Sequence, residues 1–264
     1  MANEVGRAMK RTIAISLGWG VQSWTLAAMS ALGELPRVDV AIHADTTHER
    51  SSTYAFAAEW MPWLEAHGVR VVTVVNEARR GTEVVINGNE TPLPAYSGTG
   101  MIRRQCTNGW KIQPIRRYLQ AHRNGQPLEL WLGITTDEWQ RAKDSDVGYI
   151  THRYPLLEMG LSRADCLAWL AAHDLPSPGK SSCVFCPFQN KRAWEEMKRR
   201  GGTDWQKAVE ADTAIRNVRP PDALYVHPNC LPLEQAVTIP EDYGMSQGSF
   251  DLDDAECDSG FCHT

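Results

Sequence analysis

The 264-residue sequence predicts an α/β fold with a doubly wound, mostly parallel sheet, and three observations support this prediction. Residues 12–75 alternate short apolar segments with helical patterns, which indicates successive β-α-β units with right-handed crossovers. The apolar segments are nearly continuous and rich in β-branched residues, as expected of strands buried on both faces. A glycine-rich turn directly follows the first segment, at the end of the strand where such sheets bind ligands.

The first part of the chain supplies three of the predicted strands, over Thr12–Ser16, residues 38–44 and residues 69–75. The helix predicted over residues 23–32 ends at Gly33, a typical helix-terminating residue. A second helix is predicted to begin at Ser51 or Ser52 and to end at residue 67. Pro62 lies inside this second helix and should kink or split it.

The second part of the chain continues with a strand and further helices. These are a strand over 128–135 and helices over Gln113–His122 and residues 161–173, 190–200 and 203–217. Residues 76–110 form a long polar connection, which is typical of a functional loop or of a disordered one. A composition shift near residue 160 predicts two domains. Residues 1–160 contain the sheet, and residues 161–264 form a smaller helical lobe with cysteines and an acidic tail.

Composition limits the classes of function. No apolar run approaches the roughly 20 residues of a membrane span, and the N-terminus lacks a signal peptide pattern, so we expect a cytoplasmic protein without a membrane partner. In the reducing cytoplasm, we expect the seven cysteines to be metal ligands, redox groups or core residues rather than members of disulfides. The net charge of −5 argues against non-specific wrapping of nucleic acid. Basic residues cluster within 103–117 and 191–200, so a local anionic ligand is the alternative.

The turn after the first strand has the composition of a phosphate-binding loop. It contains Ser16, Gly18, Trp19 and Gly20, and Ser23 opens the helical pattern. Glycines allow close approach of the backbone, and the free N–H groups and dipole of a helix N-terminus favour phosphate oxygens. The spacing matches neither G-x-G-x-x-G nor a Walker A loop. A glycine turn that serves only the sheet is the alternative.

Polar residues stand at two further predicted strand ends. Asp45 follows the second strand, and a capping or loop aspartate is the alternative interpretation. The strand over 128–135 contains Gly133 and leads into Asp137 and Arg141. Carboxylates at a strand end can hold Mg²⁺, and an arginine can bind phosphate. A solvated pair between Glu138 and Arg141 is the alternative.

The segment Cys183-x-x-Cys186-Pro187 is the most specific chemical signal. Two thiolates at this spacing can bind one metal centre, and a cysteine–proline ending recurs among iron–sulfur ligands. Free core cysteines are the alternative. Cys166 lies in an apolar helical pattern, and we expect it in the core.

In their order along the chain, these motifs resemble those of the PAPS reductase and PP-loop ATP pyrophosphatase superfamily. The family loop reads Ser-Gly-Gly-x-Asp-Ser, and residues 16–23 resemble it, although Val21 and Gln22 stand where the family has charged residues. The segment Asp45-Thr46-Thr47 resembles the family's Asp-Thr-Gly, with threonine in place of glycine. Residues 133–141 resemble the family segment Gly-Ile-x-x-Asp-Glu-x-x-Arg.

The resemblance implies an adenine nucleotide alpha hydrolase-like fold that binds ATP with Mg²⁺. It assigns catalytic roles to Ser23, Asp137 and Arg141. The implied nucleotide-binding residues are Ser16, Gly18, Trp19, Gly20, Ser23, Asp45 and Gly133.

Within that superfamily, the cysteine contexts are closest to phage and bacterial PAPS-reductase-like proteins, including DNA-phosphorothioation sulfurtransferases. Cysteines in comparable contexts hold a [4Fe–4S] cluster in those proteins. The resemblance therefore implies one such cluster, with ligands Cys106, Cys183, Cys186 and Cys230. Zinc is the rival, since four thiolates also form a structural zinc site.

The acidic tail contains two more cysteines, Cys257 and Cys262. Cys262-His263 resembles the C-terminal nucleophile segment of PAPS reductases, which implies a catalytic role for Cys262. The neighbouring acidic residues would raise the pKa of a tail thiol, which argues against a reactive thiolate. Cysteines that merely lie in a mobile tail are the alternative.

Three functions follow from the resemblance and its alternatives. The first is an ATP-dependent enzyme that adenylates an acceptor, releases pyrophosphate and prepares the acceptor for sulfur transfer. The second is a PAPS reductase-type thiol reductase, and the third is a non-catalytic nucleotide-binding module with structural zinc. Ser23 favours the first, because ATP-cleaving members end their loop in serine. The acceptor (nucleic acid or small molecule), the sulfur donor or reductant, and a homo-oligomeric state remain open.

Overall fold

A computed structural model of the chain describes residues 11–77, 84–85 and 90–239. The tail cysteines Cys257 and Cys262 lie outside these residues, so their roles stay predictions. Within the described ranges, no helix combines the length and the apolar composition needed to cross a bilayer.

The main sheet has five strands, namely β1 (Thr12–Ser16), β2 (Val40–Asp45), β3 (Val71–Val75), β6 (Leu128–Trp131) and β7 (Ile150–Arg153). Their order across the sheet is β3-β2-β1-β6-β7. The pairings of β1 with β2, β1 with β6 and β6 with β7 are all parallel. The predicted parallel α/β sheet is therefore confirmed, and β1 lies at its centre, as expected of the first strand of a doubly wound fold.

Helices precede or follow these strands along the chain. They are α1 (Val21–Leu32), α2 (Ser51–Ala66), α3 (Gln113–His122), α4 (Pro155–Glu158), α5 (Arg163–Ala172), α6 (Lys191–Arg200), α7 (Gly202–Ile215) and α8 (Leu233–Ala236). Pro62 lies inside α2, which continues across it as one helix rather than splitting. Ser162 caps α5 through a reciprocal capping box with Asp165.

The structure differs from the sequence predictions at two places. Strand β7 was not predicted, because its Ile-Thr-His-Arg sequence has one apolar residue and lies at the edge of the sheet. Within residues 76–110 the structure contains a two-stranded antiparallel pair, β4 (Tyr96–Ser97) with β5 (Gly100–Met101), where only an irregular connection was expected. A π-helical segment over Thr107–Ile112 follows this pair and leads into α3.

The chain forms two compact units, each built from three stretches. Unit 1 comprises the described residues of Met1–His43, Glu59–Thr73 and Ile115–Ser177. Unit 2 comprises those of Ala44–Ala58, Val74–Pro114 and Pro178–Thr264. The domain boundary predicted at residue 160 stays a prediction, and the compact units follow a different division in which both interleave along the chain.

Unit 2 has a hydrophobic core of its own. Phe185, Trp194 and Ile215 are among its fully buried members, and Cys106 and Cys183 pack against it. Cys106 and Cys183 are thus attached to a closely packed apolar core, which limits the directions of their side chains.

Candidate functional site

The turn between β1 and α1 leaves a helix N-terminus available to an anion. Gly20 precedes α1 in an extended conformation, and no side chain of the described residues caps the helix there. The first N–H groups of a helix have no partner within it, and the helix dipole makes this end positive. The 12-residue α1 therefore provides the type of backbone site that binds phosphate.

The hydroxyl of Ser23 holds this turn closed. Its Oγ accepts a hydrogen bond from the Gly18 N–H at 3.2 Å and donates to the Gly20 carbonyl at 3.3 Å. The second bond is long for an O–H donor. To donate to a phosphate oxygen, as predicted, the hydroxyl has to rotate away from Gly20.

Trp19 has an unusual backbone conformation for a large residue. Its φ of +57° lies in the left-handed region, which favours glycine. The indole is 1% exposed and packs near Trp24 and His43, with ring centroids 6.2 and 6.4 Å away. Trp19 therefore shapes the turn through its backbone, while its side chain belongs to the core. Ser16, at the end of β1, is also buried.

Gly133 packs against the start of α1. A Cβ atom at this position would lie 2.8 Å from the Ser23 nitrogen and 2.9 Å from the Gln22 carbonyl carbon. Both atoms belong to the backbone, so a side chain here would displace the helix N-terminus. In contrast, a Cβ on Gly18 would approach only to 3.8 Å of the Ser23 hydroxyl, an ordinary contact.

The segment after β6 forms a 3₁₀ helix over Thr136–Arg141, and its charged side chains have local partners. Asp137 accepts a hydrogen bond from the Arg163 N–H at 2.6 Å, at the start of α5. Arg141 forms a buried ion pair with Glu138. The solvated pair considered as the alternative is thus a buried one, and the catalytic roles of Asp137 and Arg141 stay predictions.

Asp45 ends β2 and is held by residues of unit 2. Its Oδ1 accepts hydrogen bonds at 2.7 Å from the Thr47 N–H and from the Tyr54 hydroxyl. Thr47 adopts φ +64°, which lies in the left-handed region that favours glycine. Burial, together with the hydrogen bond to Asp45, raises the pKa of Tyr54, which therefore stays a neutral donor. The adenosine-binding role of Asp45 stays a prediction.

Three of the four predicted metal ligands line one pocket in unit 2. Cys106, Cys183 and Cys186 share it with Thr46, Thr107 and two cationic residues, Arg104 and Lys111. The remaining lining residues are apolar, namely Leu93, Pro94, Trp110, Phe185, Pro187 and Phe188. Apolar lining residues limit the access of water to cysteines, which is the kind of surroundings that metal centres with thiolate ligands have.

Backbone pairing places Cys183 in this pocket. Residues 48–50 run antiparallel to residues 182–184, through hydrogen bonds from Val184 N to His48 O (2.9 Å) and from Arg50 N to Ser182 O (3.2 Å). The chain then turns, with Cys186 N donating to Cys183 O at 3.0 Å. This turn brings both cysteines of the C-x-x-C motif to the same side.

Cys230 is not among the residues that line this pocket. It lies in a turn with φ +52°, and its N–H donates to the His227 carbonyl at 3.1 Å. In the described part of the chain, no group of three or more His, Cys, Asp or Glu residues is arranged to hold a metal ion. The structure thus brings three of the four cysteines to one pocket, and the four-ligand set stays a prediction.

Cys166 lies in the core of unit 1, as predicted. It is 0% exposed within α5, and burial raises the pKa of its thiol to about 12. It is therefore a packing residue and stays a neutral thiol at ordinary pH.

Sequence reasoning missed one polar contact of the pocket. Thr46 lies next to Asp45 in the chain, and its hydroxyl is 3.4 Å from Cys183 Sγ. The Asp45-Thr46-Thr47 motif marked this position, but nothing in the motif indicated a contact with a cysteine so distant in sequence.

Similar solved structures include the following two. One is a phosphoadenylyl-sulfate (PAPS) reductase from Candida auris in a phosphate complex, 12% identical, covering 64% of this chain and 76% of that chain with a TM-score of 0.46. The other is the U34-tRNA thiolase NcsA from Methanococcus maripaludis with its [4Fe–4S] cluster, 14% identical, covering 93% of this chain and 85% of that chain with a TM-score of 0.42. No protein-family model matches the chain, and no curated protein sequence does.

Proposed function

We propose that this protein is an ATP-binding, iron–sulfur-dependent enzyme that adenylates an acceptor, releases pyrophosphate and so prepares the acceptor for sulfur transfer. The observation that carries this proposal is the convergence of Cys106, Cys183 and Cys186 on one apolar pocket. Cysteines with only a packing role, such as Cys166, are fully buried, whereas these three are partly exposed.

The nucleotide part of the proposal rests on the turn of unit 1. The uncapped N-terminus of α1 offers N–H groups to the phosphates of ATP, and Gly133 allows the turn to pack closely. An acceptor oxygen attacks the α-phosphorus, a P–O bond forms, and the bond to the leaving pyrophosphate breaks. The α1 N–H groups and the Ser23 hydroxyl would stabilise the charge that develops on pyrophosphate.

The charged residues after β6 have to change partners for their proposed roles. Arg141 is paired with Glu138, so binding of triphosphate would exchange a carboxylate for a phosphate. Asp137 accepts a hydrogen bond from the N-terminus of α5 with its Oδ2. Mg²⁺ would bind the other carboxylate oxygen of Asp137, or the carboxylate of Glu138. Asp137 and Arg141 would take their catalytic roles once these partners are exchanged. Asp45 would contact the adenosine part of ATP.

The proposed metal centre draws on the donor chemistry of the pocket in unit 2, which three cysteines line. Cys106, Cys183 and Cys186 would hold a [4Fe–4S] cluster, with Cys230 as the proposed fourth ligand and zinc as the alternative metal. When bound, such a cluster would supply or hold sulfur for the transfer. Arg104 lines the same pocket and would offset part of the negative charge of thiolate ligands, while Lys111 is paired with Glu49.

The competing function, reduction of PAPS by a cysteine thiolate, is favoured by the Cys262-His263 sequence alone. Deleting the residues after Phe250 tests it. We expect cluster content, nucleotide binding and pyrophosphate release to persist. Loss of turnover with binding preserved would support Cys262 as the nucleophile or sulfur carrier.

Anaerobic purification followed by iron and sulfide analysis, together with a pyrophosphate-release assay, tests the proposal as a whole. We expect iron and acid-labile sulfide in the protein, and pyrophosphate release from ATP that depends on an added acceptor, drawn from tRNA, DNA, nucleobases and small metabolites. A colourless protein with one tightly bound zinc that binds ATP without turnover would support the non-catalytic module instead.

A further inference from the structure

A chain of polar side chains leads from the half-buried Lys111 to one cysteine of the pocket. Lys111 Nζ lies 3.2 Å from Glu49 Oε1, and the same oxygen lies 3.2 Å from Thr46 Oγ1. Thr46 Oγ1 is in turn 3.4 Å from Cys183 Sγ. Thr46 is 2% exposed and Glu49 is 4% exposed, so water does not compete for these contacts.

The backbone holds the Thr46 hydroxyl in place. It accepts a hydrogen bond from the His48 N–H at 3.3 Å, within the sharp bend made by left-handed Thr47. The antiparallel pairing that follows, of residues 48–50 with 182–184, keeps Cys183 beside it. The N–H of His48 occupies one acceptor position of the hydroxyl, and the single proton of the hydroxyl can be donated either to Glu49 or to Cys183.

We propose that Thr46 is a positioning residue that donates a hydrogen bond to the Cys183 sulfur when this sulfur ligates the metal centre. This inference rests on the proposed function, because it takes Cys183 as a ligand. A ligating thiolate has no proton of its own, so a hydrogen bond between the two atoms then requires the proton of Thr46. The hydroxyl of Thr46 can turn its proton from Glu49 to the sulfur, because Lys111 already compensates the charge of Glu49.

The consequence of this bond is electronic. Hydrogen bonds to ligand sulfurs are one of the factors that set the reduction potential of iron–sulfur clusters. The reduced cluster carries more negative charge, so a donor to its sulfur stabilises the reduced form. Removing the Thr46 hydroxyl should therefore lower the reduction potential without removing a ligand.

The test is redox potentiometry of the anaerobically purified full chain, monitored by electron paramagnetic resonance. The variants are Thr46→Val, which replaces the hydroxyl with a methyl group of similar size, and Thr46→Ser, which keeps it. Thr91→Val is the matched control, because Thr91 is a buried hydroxyl of the same unit that accepts from the Leu93 N–H. We expect a lower midpoint potential for Thr46→Val only, with wild-type iron content in all four proteins.

Equal midpoint potentials in wild type and in cluster-loaded Thr46→Val would overturn the inference while leaving the proposed function intact. Loss of iron from a folded Thr46→Val protein, with full iron in Thr46→Ser, would support it, since only the hydroxyl distinguishes these outcomes. If Thr46→Val does not fold, Thr46→Ala takes its place under the same criteria. A wild-type protein without iron and sulfide would overturn both the inference and the cluster on which it rests.

Discussion

The turn between β1 and α1 and the cysteine pocket of unit 2 are built in opposite ways. The turn is continuous in sequence, spans residues 16–23 and offers mainly backbone N–H groups. The pocket draws on Thr46, Cys106 and the Cys183–Cys186 motif, and offers side chains. Local rules about glycine, helix ends and strand ends therefore suffice to predict the first, whereas the second requires the tertiary fold.

This difference separates the two proposed chemistries. The turn lies in unit 1 and the pocket in unit 2, each with its own buried core. Substitutions in the turn should therefore affect the nucleotide and leave the metal centre in place, and substitutions in the pocket should do the reverse. The predictions below test this separation in order of decreasing effect.

The largest effect is expected in the pocket. Cys183→Ser or Cys186→Ser should remove the visible absorbance and most of the iron of the anaerobically purified protein, because each change replaces a thiolate ligand. ATP affinity should be unchanged. Cys166→Ser is the control, since this cysteine is buried in unit 1 and should retain the iron. Full iron in both pocket variants would show that the cysteines pack without ligating.

The next effect is expected at Gly133. Gly133→Ala places a Cβ 2.8 Å from the Ser23 nitrogen, so the start of α1 has to move. Overpacking of this kind costs about 1–3 kcal/mol, and we expect ATP affinity to fall by about tenfold or more, measured by calorimetry. Iron content should stay at the wild-type level.

Gly18→Ala is the matched control for that prediction. Its Cβ would approach the Ser23 hydroxyl only to 3.8 Å, so we expect a much smaller loss of ATP affinity. Equal losses in the two variants would show that glycine is needed for reasons other than the packing of Gly133 on α1.

Loss of the Ser23 hydroxyl should have an intermediate effect. Ser23→Ala removes a donor to a charged phosphate oxygen, worth about 1.5–3 kcal/mol, or about one to two decades in affinity or rate. Pyrophosphate release from ATP should decrease accordingly. Ser30→Ala, in the same helix but bonded to Pro36 and Val38, is the control and should leave pyrophosphate release unchanged per folded molecule.

The smallest effect concerns the pH dependence of stability. Burial raises the pKa of Cys166 to about 12 from its ordinary 9.0, so above pH 9 the unfolded chain loses this proton first. The free energy of unfolding should therefore decrease as the pH rises from 9 towards 12. Cys166→Ala should show a shallower decrease in denaturant titrations, and equal slopes would contradict the buried thiol.

Much of the fold could be predicted because its signals are local. The apolar runs of β1 to β3, the end of α1 at Gly33 and the capping of α5 by Ser162 each follow from neighbouring residues. Strand β7 could not be predicted, because its polar edge sequence lacks the periodicity of a strand and pairs with β6 across the fold.

The candidate site divides in the same way. The motif around residue 133 could be found in the sequence, but the structural reason for its glycine, the close approach to Ser23, could not. The contact between Thr46 and Cys183 joins residues 137 positions apart, and only backbone pairing brings them together. Cys230 entered the ligand set by resemblance, and its place beside the pocket residues remains a prediction.

The choice of nucleotide tests the central claim most directly. Calorimetry with Mg·ATP and with PAPS, on wild type and on Ser23→Ala, should show tighter binding of Mg·ATP by wild type and a loss of that preference in the variant. Much tighter binding of PAPS by wild type, unchanged by Ser23→Ala, would contradict an enzyme that cleaves ATP at this turn and would favour the reductase.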